Sequence, residues 1–154
     1  MLALVLYSPQ IPPNTGNIMR LCSNTGFSLH LIKPLGFNLD DKSLKRAKLD
    51  YFSNIEPKIY EDLETYCKSI DVANLVIISK FGKKKYTEAK FNENSIIFFG
   101  SETKGLPKSF IKDHASNTFR IPMLSNSRSL NLSNAVAIIA YEAWKSLNFS
   151  GEGM

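Results

Sequence analysis

The sequence is poor in the residues from which metal centres, disulfide frameworks and thiol chemistry are built. Its 154 residues include two cysteines, two histidines and one tryptophan. Cys22 and Cys67 stand far apart, outside any Cys-x-x-Cys spacing, so a reduced, cytoplasmic setting is the simplest reading. His30 falls in an apolar run and His114 in a polar helix end. Neither has a partner at ligand spacing, and no metal is expected. Long apolar runs are missing too. A stretch such as Ala135 to Tyr141 is far short of the roughly 20 residues of a bilayer-spanning helix, so no membrane association is expected. The opening Leu2-Ala3-Leu4-Val5-Leu6-Tyr7 shows neither basic leader nor cleavage site, so no secretory signal is expected. No Gly-x-Gly-x-x-Gly follows that run, which excludes the usual dinucleotide fingerprint. Gly100-x-x-x-x-Gly105 continues as Leu106-Pro107 rather than Lys-Ser/Thr, which excludes a phosphate-binding P-loop.

What is present describes a folded domain. Hydrophobic residues make up 44% of the chain, enough for a real core, and the length is that of one domain spanning 1–154. The net charge of +5 leans weakly toward a polyanionic partner. Apolar strand-like runs at Leu2–Tyr7, Phe27–Ile32, Leu75–Ser79, Ile96–Phe99 and Phe119–Ile121 alternate with helical patterns. The helices are expected from Asn14 (as N-cap) to Gly26, Asp41–Asp50, Glu61–Ser69, Pro107–Asp113 and Leu132–Leu147. Phe81 to Asn94 reads as a polar, mobile loop. Alternation of this kind implies an α/β fold, a mainly parallel sheet with flanking helices. The last helix is apolar on nearly every side. Leu132, Val136, Ile139, Ala140 and Ala143 mark one face, and Ile138, Tyr141 and Trp144 another. A helix buried on both sides in so small a chain predicts a homodimer packed through 132–147.

Parallel sheets bind ligands at the carboxyl ends of their strands. Three unusual loops follow strands: Asn14-Thr15-Gly16-Asn17 with Arg20 behind it, Gly100 to Pro107, and Ser125 to Ser129 with Arg128 inside it. They offer backbone amides, small hydroxyls, two arginines and Glu102. That set suits an adenosine-like, neutral-to-cationic ligand together with an anionic second substrate met by Arg20 and Arg128. Singly, each loop also reads as a helix cap, a strand-to-helix turn or a solvated loop. Cys22 lies on the core face of its helix as a packing residue.

The three stretches Asn14-Thr15-Gly16-Asn17-Ile18-Met19-Arg20, Phe99-Gly100-Ser101-Glu102-Thr103-Lys104-Gly105-Leu106-Pro107, and Ile121-Pro122-Met123 with Ser127-Arg128-Ser129-Leu130-Asn131-Leu132-Ser133-Asn134 together resemble the three motifs of the SPOUT RNA methyltransferases, in their YibK-like branch. The resemblance covers essentially the whole chain. It implies a C-terminal trefoil knot and S-adenosylmethionine as methyl donor, without a metal. It also implies transfer to the ribose 2'-OH of the wobble nucleotide (cytidine or modified uridine) in the anticodon stem-loop of tRNA. By the same resemblance Ile78, Gly100, Ile121, Met123, Ser129 and Leu130 line the cofactor pocket, and Arg20, Asn14 and Glu102 stand at the reacting centre. Asn17, Ser127, Arg128 and Asn134 would face the substrate, with Lys45 and Arg46 meeting RNA phosphates. Lys42, Lys48 and Lys83 to Lys85 are further candidates for phosphate contact. A guanidinium stays protonated, so Arg20 is expected to orient the 2'-oxygen and stabilise its developing charge rather than remove its proton. The chain departs from the family at Ala47-Lys48-Leu49-Asp50-Tyr51, where relatives commonly read Ala-Gly-Leu-Asp-Tyr. Two alternatives stand beside this reading: methylation of ribosomal RNA, and an RNA- or S-adenosylmethionine-binding dimer without catalysis.

Overall fold

A computed structural model describes residues 1–42, 44–46 and 55–153. Seven strands form one sheet in the order β3-β2-β1-β6-β4-β7-β5. They are β1 (Ala3–Tyr7), β2 (Ser28–Ile32), β3 (Lys58–Tyr60), β4 (Leu75–Ile78), β5 (Lys84–Lys85), β6 (Ile96–Phe99) and β7 (Thr118–Arg120). Every pairing is parallel. The helices are α1 (Pro12–Thr25), α2 (Leu63–Lys68), α3 (Lys108–Asp113) and α4 (Leu132–Ser146). Residues 42 and 44–46 are also helical; the rest of the helix expected over Asp41–Asp50 lies outside the described residues.

Alternation along the central strands divides the core in two, because successive strand side chains point to opposite faces. Leu4, Leu6, Val76, Ile78, Ile97 and Phe99 pack on one face with Ile18, Cys22, Val136 and Ile139 of α1 and α4. Val5, Leu75, Ile77 and Phe98 pack on the other with Tyr66 of α2 and Phe110 of α3. The strands therefore read as continuous apolar runs, as strands covered on both faces must. Cys22 is fully buried, and desolvation pushes its thiol up to about 12, so it holds no thiolate at neutral pH.

α1 begins earlier than expected. Pro12 and Pro13 occupy its first positions, where missing N–H groups cost nothing, and Ile11 is the N-cap. Asn14 lies inside the helix, 4% exposed, and its side chain is committed elsewhere. Gly26 ends the helix at φ 73°, donating its N–H to the Cys22 carbonyl. The stretch 81–94 is not a mobile loop. It carries β5 and a turn of 3-10 helix, Tyr86–Glu88, and Tyr86, Ala89 and Phe91 pack against the core. On α4, Ile138 and Tyr141 are exposed in the single chain. Trp144 is half-buried, since the chain's end folds back over it. Its indole N–H donates to the Ser150 carbonyl (3.0 Å), and its ring meets Phe149 edge-on.

β7 lies between β4 and β5, yet only residues 79–83 join those two strands. The join must cross β7. It crosses at Phe119 and Arg120, closely enough that a Cβ on Gly82 would stand 2.4 Å from the Phe119 carbonyl carbon and 2.8 Å from the Arg120 nitrogen. Ser79 N–H donates to the Phe119 carbonyl (2.9 Å). The Arg120 guanidinium donates to the carbonyls of Gly82 (3.3 Å) and Lys83.

Two outcomes are expected from this packing. Gly82→Ala forces backbone against backbone and should lower stability by about 1–3 kcal/mol, read as a reduced urea midpoint at unchanged slope. His30 packs between Tyr60 and Tyr66, with Nδ1 hydrogen-bonded to the Tyr66 hydroxyl at 2.7 Å. Burial, then repulsion from Lys58, lowers its pKa from 6.5 to about 4. The unfolded chain then binds a proton that the folded chain refuses. The stability contribution is complete above pH 6.5 and is lost as pH falls toward about 4. Urea titrations across that window should show a falling midpoint in the wild type and a shallower fall in His30→Gln.

Candidate active site

The cleft lies outside the carboxyl ends of β1, β6, β4 and β7. Between β1 and β6 the connections diverge: α1 leaves β1 over one face of the sheet, and α3 leaves β6 over the other. A crevice opens where connections part in this way. It encloses about 500 Å³ and is lined by Ile78 of β4, the turn after it, the 100–106 loop, the 121–131 segment and the start of α4.

Glu102 holds these segments together. Its carboxylate accepts the Gln10 N–H (3.0 and 3.2 Å) and the Ile11 N–H (2.6 Å), at the N-terminus of α1. Negative charge is favourable there, where helix dipole and unpaired donors coincide. Asn14 Nδ2 reaches the same carboxylate at 3.5 Å, a marginal contact. Asn14 Oδ1 accepts from Asn131 Nδ2 at 3.0 Å. Asn131 Oδ1 in turn accepts the Ser133 N–H (2.9 Å) and caps α4. A chain of side-chain bonds thus links all three motif loops.

The 100–106 loop is folded tightly. Gly105 adopts φ 67° and donates its N–H to the Ser101 carbonyl at 3.0 Å. A Cβ on Gly100 would stand 2.5 Å from the Gly105 carbonyl carbon and from the Leu106 nitrogen, so glycine is required. The loop presents backbone rather than bulk to the cleft.

Ile78, Gly100, Ile121, Met123, Ser129 and Leu130, expected around a cofactor, all line the cleft, as do Asn14 and Glu102. Arg20 does not. It is exposed on α1, six residues and so about 9 Å along the axis beyond Asn14. Asn17, Ser127, Arg128 and Asn134 are exposed outside the lining, and so are Lys45 and Arg46. Sequence reasoning overlooked Lys80, Phe81 and Lys108, which line the same cleft. The strand-end rule points to the first two, because they follow β4 directly, but that turn carries no motif to draw attention. Among the described residues Glu102 is the only carboxylate in the lining, against Lys80, Lys104 and Lys108. Among the described residues no group of three or more His, Cys, Asp or Glu could hold a metal ion, and no helix is long and apolar enough to cross a membrane.

The chain matches the model of the SpoU rRNA Methylase family over residues 1–141. It is 46% identical over 153 residues to a tRNA (cytidine(34)-2'-O)-methyltransferase of Methylovorus glucosotrophus, covering 98% of this chain and 99% of that one. It is 44% identical over 152 residues to the Escherichia coli K12 protein of the same name, covering 98% and 97%. A structure solved in work on 2-OH methylation of C/U34 on tRNA superposes with a TM-score of 0.87 at 38% identity, covering 97% of each chain. With its cleft at the sheet's carboxyl edge and this likeness along nearly its full length, the chain belongs to the SpoU methylase family.

Proposed function

We propose that this chain is a methyltransferase that places a methyl group on the ribose 2'-oxygen of the wobble nucleotide of tRNA, with S-adenosylmethionine as donor. The observation that carries the reading is the cleft, in which three loops distant in sequence meet and are tied through Glu102, Asn14 and Asn131. The relatives' names supply the nucleotide. The cleft fits the donor: its volume is that of a small-molecule site, and Ile78, Ile121, Met123 and Leu130 give apolar walls beside a backbone-lined loop. When bound, S-adenosylmethionine supplies an electrophilic methyl carbon on a sulfonium.

The chain's own residues bind and position. Apolar walls exclude water from a cationic sulfur without pairing it to a carboxylate. Glu102 already accepts backbone donors, which suits it to fixing the loops rather than to removing a proton. Asn14, held near Glu102 and by Asn131, fixes the geometry of the cleft floor. Arg20 orients the 2'-oxygen and the adjacent phosphate. Ser127 and Arg128 on the exposed third loop and Asn134 in the first turn of α4 border the donor site, with Asn17, Lys45 and Arg46 offering further RNA contacts. The enzyme acts in the cytoplasm as a homodimer through α4, with Ile138 and Tyr141 as the contact face, and on the anticodon stem-loop. The crossing over β7 supports a closed C-terminal knot.

The test is mass spectrometry of nucleosides from tRNA and, separately, ribosomal RNA incubated with the protein and S-adenosylmethionine. A 2'-O-methyl gain at tRNA position 34 is expected. Gain only in ribosomal RNA moves the substrate, and gain in neither leaves a non-catalytic binder. Arg20→Ala should cut turnover by about 10²–10³-fold, the scale of losing one group that stabilises developing charge. Arg20→Lys should keep part of the activity, and complete loss with RNA binding intact would show that charge placement alone is insufficient. In sedimentation the wild type should run near twice its 17.3 kDa chain mass. Ile138→Asp should shift it toward the monomer, and an unchanged dimer would move the interface off α4.

A further inference from the structure

The turn after β4 presents an aromatic ring where a core would not waste one. Phe81 is 59% exposed, and no other described phenylalanine is classed as exposed. It lines the mouth of the cleft. The ring does not hang on a loose loop. Ser79 accepts the Gly82 N–H on its carbonyl (3.0 Å) and the Phe81 N–H on its hydroxyl (3.2 Å), closing a turn with Phe81 inside it. Next to it, Gly82 is wedged against β7 and held by Arg120. Lys80 Nζ stands 5.3 Å from the ring centroid, and Lys83, Lys84 and Lys85 follow along the exposed edge strand.

A ring carried on a pinned turn has already lost much of the backbone freedom that binding would otherwise remove. Lysines beside it attract phosphate. Unpaired nucleotides are held by this combination, with aromatic faces for bases and cations for the backbone. We propose that Phe81 is a stacking platform for an unpaired base of the RNA substrate, held at the cleft mouth with Lys80 and Lys83 to Lys85 against the flanking phosphates. The inference rests on the reading of the chain as an RNA methyltransferase and adds a substrate-positioning residue to it.

The test uses the full chain and a fluorescein-labelled anticodon stem-loop, with hairpin affinity read by anisotropy, S-adenosylmethionine affinity by calorimetry, and assembly by sedimentation. Phe81→Ala and Phe81→Leu should each weaken hairpin binding by about tenfold or more, while Phe81→Trp stays within about threefold. Donor affinity and assembly should not change. Hairpin binding by Phe81→Ala equal to wild type would overturn the proposal, as would a wild type that does not bind the hairpin. A loss of donor affinity would make the ring a cover for S-adenosylmethionine, and a loss of assembly would make it a subunit contact; either result overturns the platform. Weakened hairpin binding in a protein that transfers no methyl group to RNA would leave the platform standing and remove the reaction.

Discussion

One carboxylate sets the geometry at the carboxyl edge of the sheet. Glu102 reaches from the loop after β6 to the backbone N–H groups of Gln10 and Ile11, and Asn14 sits beside it. Hydrogen bonds to a charged group contribute about 1.5–3 kcal/mol each, more than neutral ones. α1 has no side-chain cap of its own, since its N-cap residue is the apolar Ile11. The helix therefore takes its negative partner from another strand's loop. Asn14 then carries the connection to Asn131 and the start of α4. Local needs of two helix ends are met by contacts that also assemble the cleft.

This arrangement divides the work. The inner cleft is apolar and backbone-rich, and its one acid is occupied. The cations stand at its edge and along the outer strand. On the proposed reading, a sulfonium donor and an anionic RNA meet surfaces of different character. Arg20 belongs to neither surface of the cleft as the single chain forms it.

Much of the fold was legible because buried parallel strands are continuous apolar runs. Leu75 to Ile78 and Ile96 to Phe99 could hardly be anything else. Lys58–Tyr60 and Lys84–Lys85 escaped notice because edge strands are short and charged, and their order comes from a neighbour's register rather than from their own pattern. Asn14 was read as a cap since asparagine before a helical pattern commonly is one. Its true role depends on Glu102 and Asn131, 88 and 117 residues away, and local spacing cannot reveal such partners. The residues that motif resemblance places around a cofactor line one cleft. Phe81 had no motif, and only its exposure on a pinned turn draws attention to it.

The strap of residues 79–83 crosses β7, and the cleft opens beside that crossing. Ser79 and Lys80 form part of one wall with Phe81 at the mouth, while Ile121 and Met123, just past β7, form part of another. Whatever fills the space leans on the strap and on the segment emerging beneath it. Ligand occupancy thus bridges the strap and the segment after β7, and binding energy becomes resistance to their separation. In this architecture the cleft doubles as a fastener for two passing stretches of backbone.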